Sequence, residues 1–268
     1  MAARLLTSAD VAELLGVTAG TVKRWADQGV LACARTAGRH RRFDPEEVRR
    51  FQRERAGSPR GEPVRLVDRL LAEEDVLAFQ AELLRERARL GAWWRVAEAV
   101  GPEVEELGRR WQQGRIGIVE EHLASDRLAR ALSRCAESLP SRPGAPRVLL
   151  APAEGEEHLL GLALVHLCLR EAGWRPLWSG RVTPAVEVVR QVEAGTVDAV
   201  ALSASVASRP GPLAAEAATV GQACRRAGVP LLAGGRGPWP DPLPFGRLER
   251  TFAGLREFVD EVDRATPA

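Results

Sequence analysis

Residues 147–268 alternate short apolar runs with longer stretches of helical periodicity, and no other feature of the chain constrains its fold as much. Candidate strands are Val148–Pro152, Pro176–Ser179, Ala199–Ser203 and Pro230–Ala233, with a fifth around Leu248–Phe252. Helices fit at 158–172, 184–194, 212–227 and 254–265. Parallel strands need a long crossover, and the right-handed crossover is the one that packs back onto the sheet. The expectation for 147–268 is therefore an α/β domain with a doubly wound parallel sheet. Ligands of such open sheets bind along the edge where the strands end.

Polar and glycine features fall at those strand ends. Glu156-Glu157-His158-Leu159-Leu160-Gly161 follows the first strand; after 41 intervening residues comes Ser203-Ala204-Ser205, and after 28 more comes Gly234-Gly235. An isolated E-x-H-x-x-G fits an incidental loop histidine on a flavodoxin-like domain equally well. The spaced serine and glycine pair make a cofactor site the better reading, with His158 as the candidate metal ligand. A ligating imidazole needs an acceptor on its other ring nitrogen to fix its tautomer and raise its basicity. Glu156, two residues earlier, suits that task. Gly161 permits close approach of the first helical turn. Ser203 can hydrogen-bond something long on the sheet edge, and Gly234-Gly235 leaves room for it. These residues describe a metal with one protein ligand and a long tail.

The first 56 residues carry eleven Lys/Arg against seven Asp/Glu, whereas the remainder carries 27 against 29. A basic unit on a near-neutral body points to nucleic-acid contact confined to that end. Thr7 or Ser8 can cap a helix through Leu15, with Val11, Leu14 and Leu15 on one face. Gly16-Val17-Thr18 makes a turn, and a second helix runs to about Gln28, where Gly29 ends it. A Gly38-centred turn lies between extended pieces, and Pro45 opens a third helix. This is the pattern of a winged helix-turn-helix. Thr18, Thr21, Lys23 and Arg24 are its candidate base and phosphate contacts; Arg39, His40 and Arg41 in the wing suit phosphates. A small protein-binding helical domain with a solvated basic face is the alternative. Trp25 reads as core.

Between the linkers 56–63 and 140–146, residues 64–139 show helical spacing throughout. Leu66, Leu70 and Leu71 mark one helix; Val76, Leu77, Leu83 and Leu84 a second; Val104, Leu107 and Trp111 a third; Leu123, Leu128 and Leu132 a fourth. A four-helix bundle is expected. Gly114 breaks the third helix, so Glu121 and His122 can return toward the space beside Trp111. An indole beside a carboxylate and an imidazole suits a nucleoside. Bundle core for Trp111 and a solvated face for Glu121-His122 are the plainer readings. Trp93-Trp94 and His166 read as core or interface.

Three resemblances follow from these residues. Val17-Thr18, Thr21-Val22-Lys23-Arg24-Trp25, Gly29-Val30-Leu31 and Gly38-Arg39-His40-Arg41-Arg42-Phe43 resemble the MerR/excisionase superfamily, with Arg39 where a second glycine is common. The Glu156–His158–Gly161, Ser203 and Gly234-Gly235 pattern is similar to the cobalamin-binding domains of methionine synthase, corrinoid methyl carriers and base-off mutases. The resemblance implies His158 as the lower cobalt ligand, Glu156 as its partner, Ser203, Gly234 and Gly235 beside the displaced nucleotide tail, and Ser205 among the cofactor-binding residues. Glu156 replaces a commoner Asp, and Ser205 a commoner Leu. Trp111-x9-Glu121-His122 resembles the adenosylcobalamin-sensing photoreceptor repressors of the CarH type, where the Trp and the Glu-His pair line the adenosyl pocket. That family has the same domain order, so the resemblance spans nearly the whole chain. It departs at Gln112, where the CarH type has a histidine that becomes the upper ligand after light.

The resemblance implies a multidomain regulator: a MerR-like winged helix-turn-helix at 1–56, a bundle at 64–139 and a Rossmann-like cobalamin domain at 147–268. It implies adenosylcobalamin with its cobalt as cofactor, a double-stranded DNA operator, a homo-oligomer (dimer or tetramer) and no catalytic turnover. A light-independent cobalamin sensor and a corrinoid methyl carrier are the alternatives, as is an α/β domain that serves only in assembly. Cys33, Cys135, Cys168 and Cys224 form no C-x-x-C pair, which argues against a zinc site or a disulfide framework and for a reducing cytoplasm. The apolar run Leu159–Leu169 is interrupted by His166, and no signal peptide is legible, so no membrane partner is expected.

Overall fold

The computed structural model describes residues 5–15, 19–27, 31–36, 38, 40–48 and 65–265. The chain divides into two compact units, Met1–Glu73 and Glu74–Ala268. In the first, α1 (Ser8–Leu15) and α2 (Ala19–Asp27) precede β1 (Ala34–Arg35) and β2 (Arg41–Arg42), a helical turn at 45–48, and α3 (Leu66–Ala72). Thr7 caps α1 reciprocally: its hydroxyl accepts the Asp10 N–H at 3.2 Å, and the Asp10 carboxylate accepts the Thr7 N–H at 2.8 Å. The two strands pair antiparallel, Ala34 opposite Arg42. The core holds Val11, Ala12, Val22, Leu31, Phe43 and Val48, with Trp25 packed against it. Leu14, expected on the inner face, is exposed. A helix of eight residues buries one narrow stripe, and that stripe runs through Val11 and Ala12. The expected turn at 16–18, the cap at Gly29, the side chain of Leu15 and the first linker lie outside the described residues.

The second unit begins with three helices, α4 (Val76–Leu90), α5 (Trp93–Gln112) and α6 (Ile118–Glu137). Asp75 starts α4 by accepting the Leu77 N–H at 2.8 Å, and Gly91 in the left-handed region ends it. The third helix is longer than the sequence spacing implied, running from a buried Trp93 with Pro102 inside it. Leu66–Ala72, expected as the first helix of a four-helix bundle, falls in the other compact unit. The three remaining helices complete their packing on the α/β portion. Phe79, Leu83, Leu107, Leu128 and Leu132 are buried, whereas Leu77, Leu84 and Leu123, expected inside, are exposed.

The α/β portion contains β3 (Arg147–Pro152), α7 (Leu160–Glu171), β4 (Arg175–Trp178), α8 (Ala185–Glu193), β5 (Ala199–Ser203), α9 (Pro210–Ala227), β6 (Leu231–Gly234), β7 (Arg247–Glu249) and α10 (Phe252–Ala265). The five strands are parallel in the order β4-β3-β5-β6-β7. Every residue of β5 is buried, as an inner strand covered on both faces must be. The cluster of Leu149, Ala151, Val200, Leu202, Val188, Val192, Leu213, Ala217 and Val220 joins the sheet to α8 and α9. The helical layer packs on α7 and α10.

Carboxylates fasten that layer. Glu171 of α7 accepts from Arg87 of α4 at 2.9 Å and from the Trp93 backbone N–H at the start of α5 at 2.7 Å. Glu98 of α5 accepts the N–H groups of Phe252 and Ala253, 2.7 and 3.0 Å away, at the first turn of α10. The second expected linker is strapped down too. Arg142 pairs with Asp263 and donates its backbone N–H to the Gly173 carbonyl, while Arg170 reaches Ser141 and the Leu139 carbonyl.

Candidate functional site

The strand order places a switch point between β3 and β5, because the chain leaves them for opposite sides of the sheet. Such crevices bind ligands at the carboxyl ends of the two strands. The loop after β3 carries Glu156 and His158; β5 ends at Ser203 and continues into Ala204-Ser205.

Glu156 organises this crevice. It is only 3% exposed. One carboxylate oxygen accepts from the His158 backbone N–H at 2.8 Å and lies 2.6 Å from His158 Nδ1. The other accepts from the Ser205 N–H at 2.7 Å and from the Ser208 hydroxyl at 2.8 Å. Burial works to raise its pKa, but the donors from His158 and Ser205 outweigh it and hold the carboxyl well below the usual range. The carboxylate is therefore ionised, so Nδ1 carries a proton toward it, and Nε2 remains on a half-exposed ring. The His158 pKa is raised: the Glu156 hydrogen bond leads, burial opposes it, and the charges of Glu156, Glu121 and Glu157 add. The arrangement holds the imidazole in one orientation with Nε2 available to a metal. Among the described residues no group of three or more His, Cys, Asp or Glu side chains is placed to hold an ion.

Ser203 is buried at the end of β5. Gly161 opens α7 beside it: a Cβ there would come within 3.8 Å of the Ser203 oxygen. Gly234 ends β6, and Gly235 follows with φ 82°. A Cβ on Gly235 would drive into the Ala204 carbonyl oxygen and approach the Ser203 hydroxyl within 3.3 Å. The glycine is thus required twice, by its left-handed backbone and by the closeness of the β5 loop. An exposed imidazole edge, a buried serine hydroxyl and a glycine pair that keeps the start of the β6 loop free of side chains fit a metal-bearing cofactor with a tail.

The turn between α5 and α6 brings the other expected residues toward the same edge. Gly114, with φ 66°, reverses the chain after Trp111. Glu121 accepts from Ser125 at 2.7 Å and is near enough to His158 for its charge to raise that pKa. His122 is exposed, its Nε2 3.8 Å from Glu121. Trp111 is 39% exposed, and Ile118, Val119 and Leu123 beside it in sequence are exposed as well, so Trp111 is not the buried core residue of the plainer reading. Gln112 ends α5, also exposed. His166 accepts the Trp178 indole N–H at 2.9 Å and takes no part in this edge.

Two residues escaped the sequence reading. Ser208 had the run Ser203-Ala-Ser-Val-Ala-Ser208 as its only signal. Glu216 of α9 is buried, with one oxygen accepting the Glu154 N–H at 2.9 Å and the other without a hydrogen-bond partner. Burial pushes its pKa up to about 7. It props the same loop that presents His158, and nothing in its helical surroundings marks it in sequence.

At the amino-terminal end, Lys23 on α2 and His40 before β2 are exposed, and Arg41 is half-buried within β2. Thr36 and His40 close the turn between the strands: the Thr36 N–H donates to the His40 carbonyl at 3.0 Å, and the His40 N–H to the Thr36 hydroxyl at 3.2 Å. Thr18, Arg39 and the side chains of Thr21 and Arg24 lie outside the described residues.

Comparison with known proteins agrees with both ends. Residues 5–56 match the family described as Helix-turn-helix domain. The chain is 32% identical over 136 residues to the HTH-type transcriptional repressor CarA of Myxococcus xanthus, covering 51% of this chain and 45% of that protein. It is 35% identical over 112 residues to the HTH-type transcriptional repressor CarH of the same organism, covering 42% and 37%. The chain thus spans less than half the length of these relatives. The monomethylamine corrinoid protein of Methanosarcina barkeri superposes with a TM-score of 0.56 at 17% identity, over 74% of this chain and 96% of that one, which shows a shared fold. The resemblance to CarH-type regulators holds at the level of sequence, and the parallel sheet expected at 147–268 is present. No helix among the described residues is long and apolar enough to cross a membrane.

Proposed function

We propose that this chain is a cobalamin-binding transcriptional repressor of the CarH type, whose assembly and operator binding respond to adenosylcobalamin and light. Residues 1–56 contact DNA, the helices α4, α5 and α6 would cover one side of the cofactor, and 147–268 would hold its other side and tail. The observation that carries this reading is the Glu156–His158 pair at the switch point, with Nε2 open and Glu121 of the helical layer close enough to influence the ring.

When bound, adenosylcobalamin supplies a light-labile cobalt–carbon bond; the protein itself performs no turnover. His158 offers Nε2 to the cobalt, and Glu156 keeps the other ring nitrogen protonated and the ring fixed. Ser203, with Gly234-Gly235, would hold the tail. Trp111, Glu121 and His122 would hold the adenosyl group, the indole by stacking and the pair by hydrogen bonds. In the loaded oligomer, a dimer or tetramer, several basic wings engage adjacent operator sites together, and avidity raises the occupancy that one module gives. Lys23, His40 and Arg41, with Thr18, Thr21, Arg24 and Arg39, supply the contacts in each module.

Gln112 favours a second reading, a light-independent cobalamin sensor, because an amide at that position cannot act as an imidazole ligand. Size-exclusion elution of adenosylcobalamin-loaded protein, dark against green-illuminated and followed at the corrin band, separates the two. Co-elution with a shift to smaller size after light supports the photoreceptor. Co-elution without a shift supports the sensor, and no co-elution removes the cobalamin assignment.

A further inference from the structure

The loop that follows β6 is held from three sides. The Gly237 N–H donates to the Ala204 carbonyl at 2.9 Å, and the Trp239 indole N–H donates to the Gly234 carbonyl at 2.8 Å. Arg250 donates to the carbonyls of Gly235 and Gly237 at 3.0 and 3.3 Å. A segment fixed by so many backbone contacts is set before any ligand arrives. Within Gly234-Gly235-Arg236-Gly237 only Arg236 has a side chain. Its guanidinium does not fold onto the loop; it donates to Glu105 of α5 at 2.6 Å, with both side chains exposed. As a contribution to stability an exposed pair of this kind is worth roughly 0–1 kcal/mol. The cation stands on the loop that packs beside Ser203 and Ala204 at the end of β5, where stability alone gives no reason for one. Glu105 keeps the guanidinium extended from the rigid loop in the absence of any other anion.

We infer that Arg236 is the specificity residue for the tail: it recognises the phosphodiester of a nucleotide-tailed corrinoid, and Glu105 is the partner it exchanges for that phosphate. This rests on the cobalamin reading of the same site. A planar guanidinium matches phosphate oxygens in its fork geometry, and a hydrogen bond to a charged group is stronger than a neutral one. The exchange is from one exposed anion to another, so no buried charge is left behind. It also gives tail binding a consequence in the helical layer, because α5 loses one of its ties to the β6–β7 loop when the arginine changes partner.

The test compares aquocobalamin with aquocobinamide, which has the same corrin and cobalt but no nucleotide tail, by absorbance titration of the intact chain. For the unaltered protein, cobalamin binds more tightly than cobinamide. Arg236→Gln is expected to weaken cobalamin about tenfold, the value of one charge-assisted hydrogen bond, and to leave cobinamide unchanged. Glu105→Gln is expected to tighten cobalamin a few-fold by removing the competitor, again without effect on cobinamide. Equal losses of both ligands with Arg236→Gln, or no loss of either, overturn the assignment while leaving the cobalamin site standing. Failure of the unaltered protein to bind either corrinoid overturns the parent reading instead.

Discussion

In the loop after β3, every acceptor direction of the Glu156 carboxylate is filled, and the imidazole of His158 is fixed by its own neighbour in sequence. At the turn between α5 and α6, Trp111, Ile118, Val119 and Leu123 stand exposed, and the exposed His122 lies 3.8 Å from the carboxylate next to it. Both regions lie on the ligand edge of one compact unit, yet one is finished and the other is open. The contrast follows from what each is asked to hold. A metal ligand must be oriented before the metal arrives, since freezing a flexible imidazole on binding would cost affinity. An aromatic surface for a flat group is completed by the group itself, which removes the exposed apolar area from water.

Substitutions on the finished side should therefore have larger effects than those on the open side. The largest effect is expected from His158→Ala, which removes the protein nitrogen from cobalt and should drop affinity by well over about a hundredfold, read by absorbance titration. Next is Glu216→Gln. Its carboxyl titrates near 4.5 unfolded and about 7 folded, so the stability tied to its bound proton is fully present below about pH 4.5 and gone above about pH 7. Glutamine keeps an acceptor for the Glu154 N–H without the charge. The variant should be on the order of 3 kcal/mol more stable than the parent above pH 7, with a flatter pH profile by urea denaturation. An unchanged pH profile would show that this buried carboxyl does not titrate near neutrality. Glu156→Ala comes third, with an expected loss of about 10–100-fold in cobalamin affinity as the ring loses its orienting acceptor. Smallest is Trp111→Ala. It should cost about tenfold for adenosylcobalamin and nothing for aquocobalamin, which lacks the group the indole stacks on. An equal loss for both would make Trp111 a structural residue and dissolve the contrast between the two sides.

The same contrast explains what the sequence discloses. Residues bound to their own chain neighbours are legible: Glu156 and His158 sit two apart, and their link follows from the spacing. The inner strands β3, β5 and β6 are legible because buried parallel strands read as apolar runs. Ser205 and Ser208 converge on Glu156 across 49 and 52 positions, a relation that exists only once β5 lies beside β3. Glu216 reaches Glu154 across 62 positions for the same reason. Leu77, Leu84 and Leu123 show the opposite failure, because helical spacing marks an apolar stripe without saying whether anything covers it. The spacing of Val104, Leu107 and Trp111 marks only the second half of α5, which runs on through Pro102 back to Trp93.

The central claim is that a protein nitrogen, that of His158, faces the cobalt. Electron paramagnetic resonance of cob(II)alamin bound to uniformly ¹⁵N-labelled protein addresses it directly, because the axial nitrogen splits the signal according to its own nuclear spin. The account expects doublets from ¹⁵N, reverting to triplets in unlabelled protein and vanishing with His158→Ala. Triplets from the labelled protein would mean that the cofactor's own base remains on the metal, and would contradict the role given to His158.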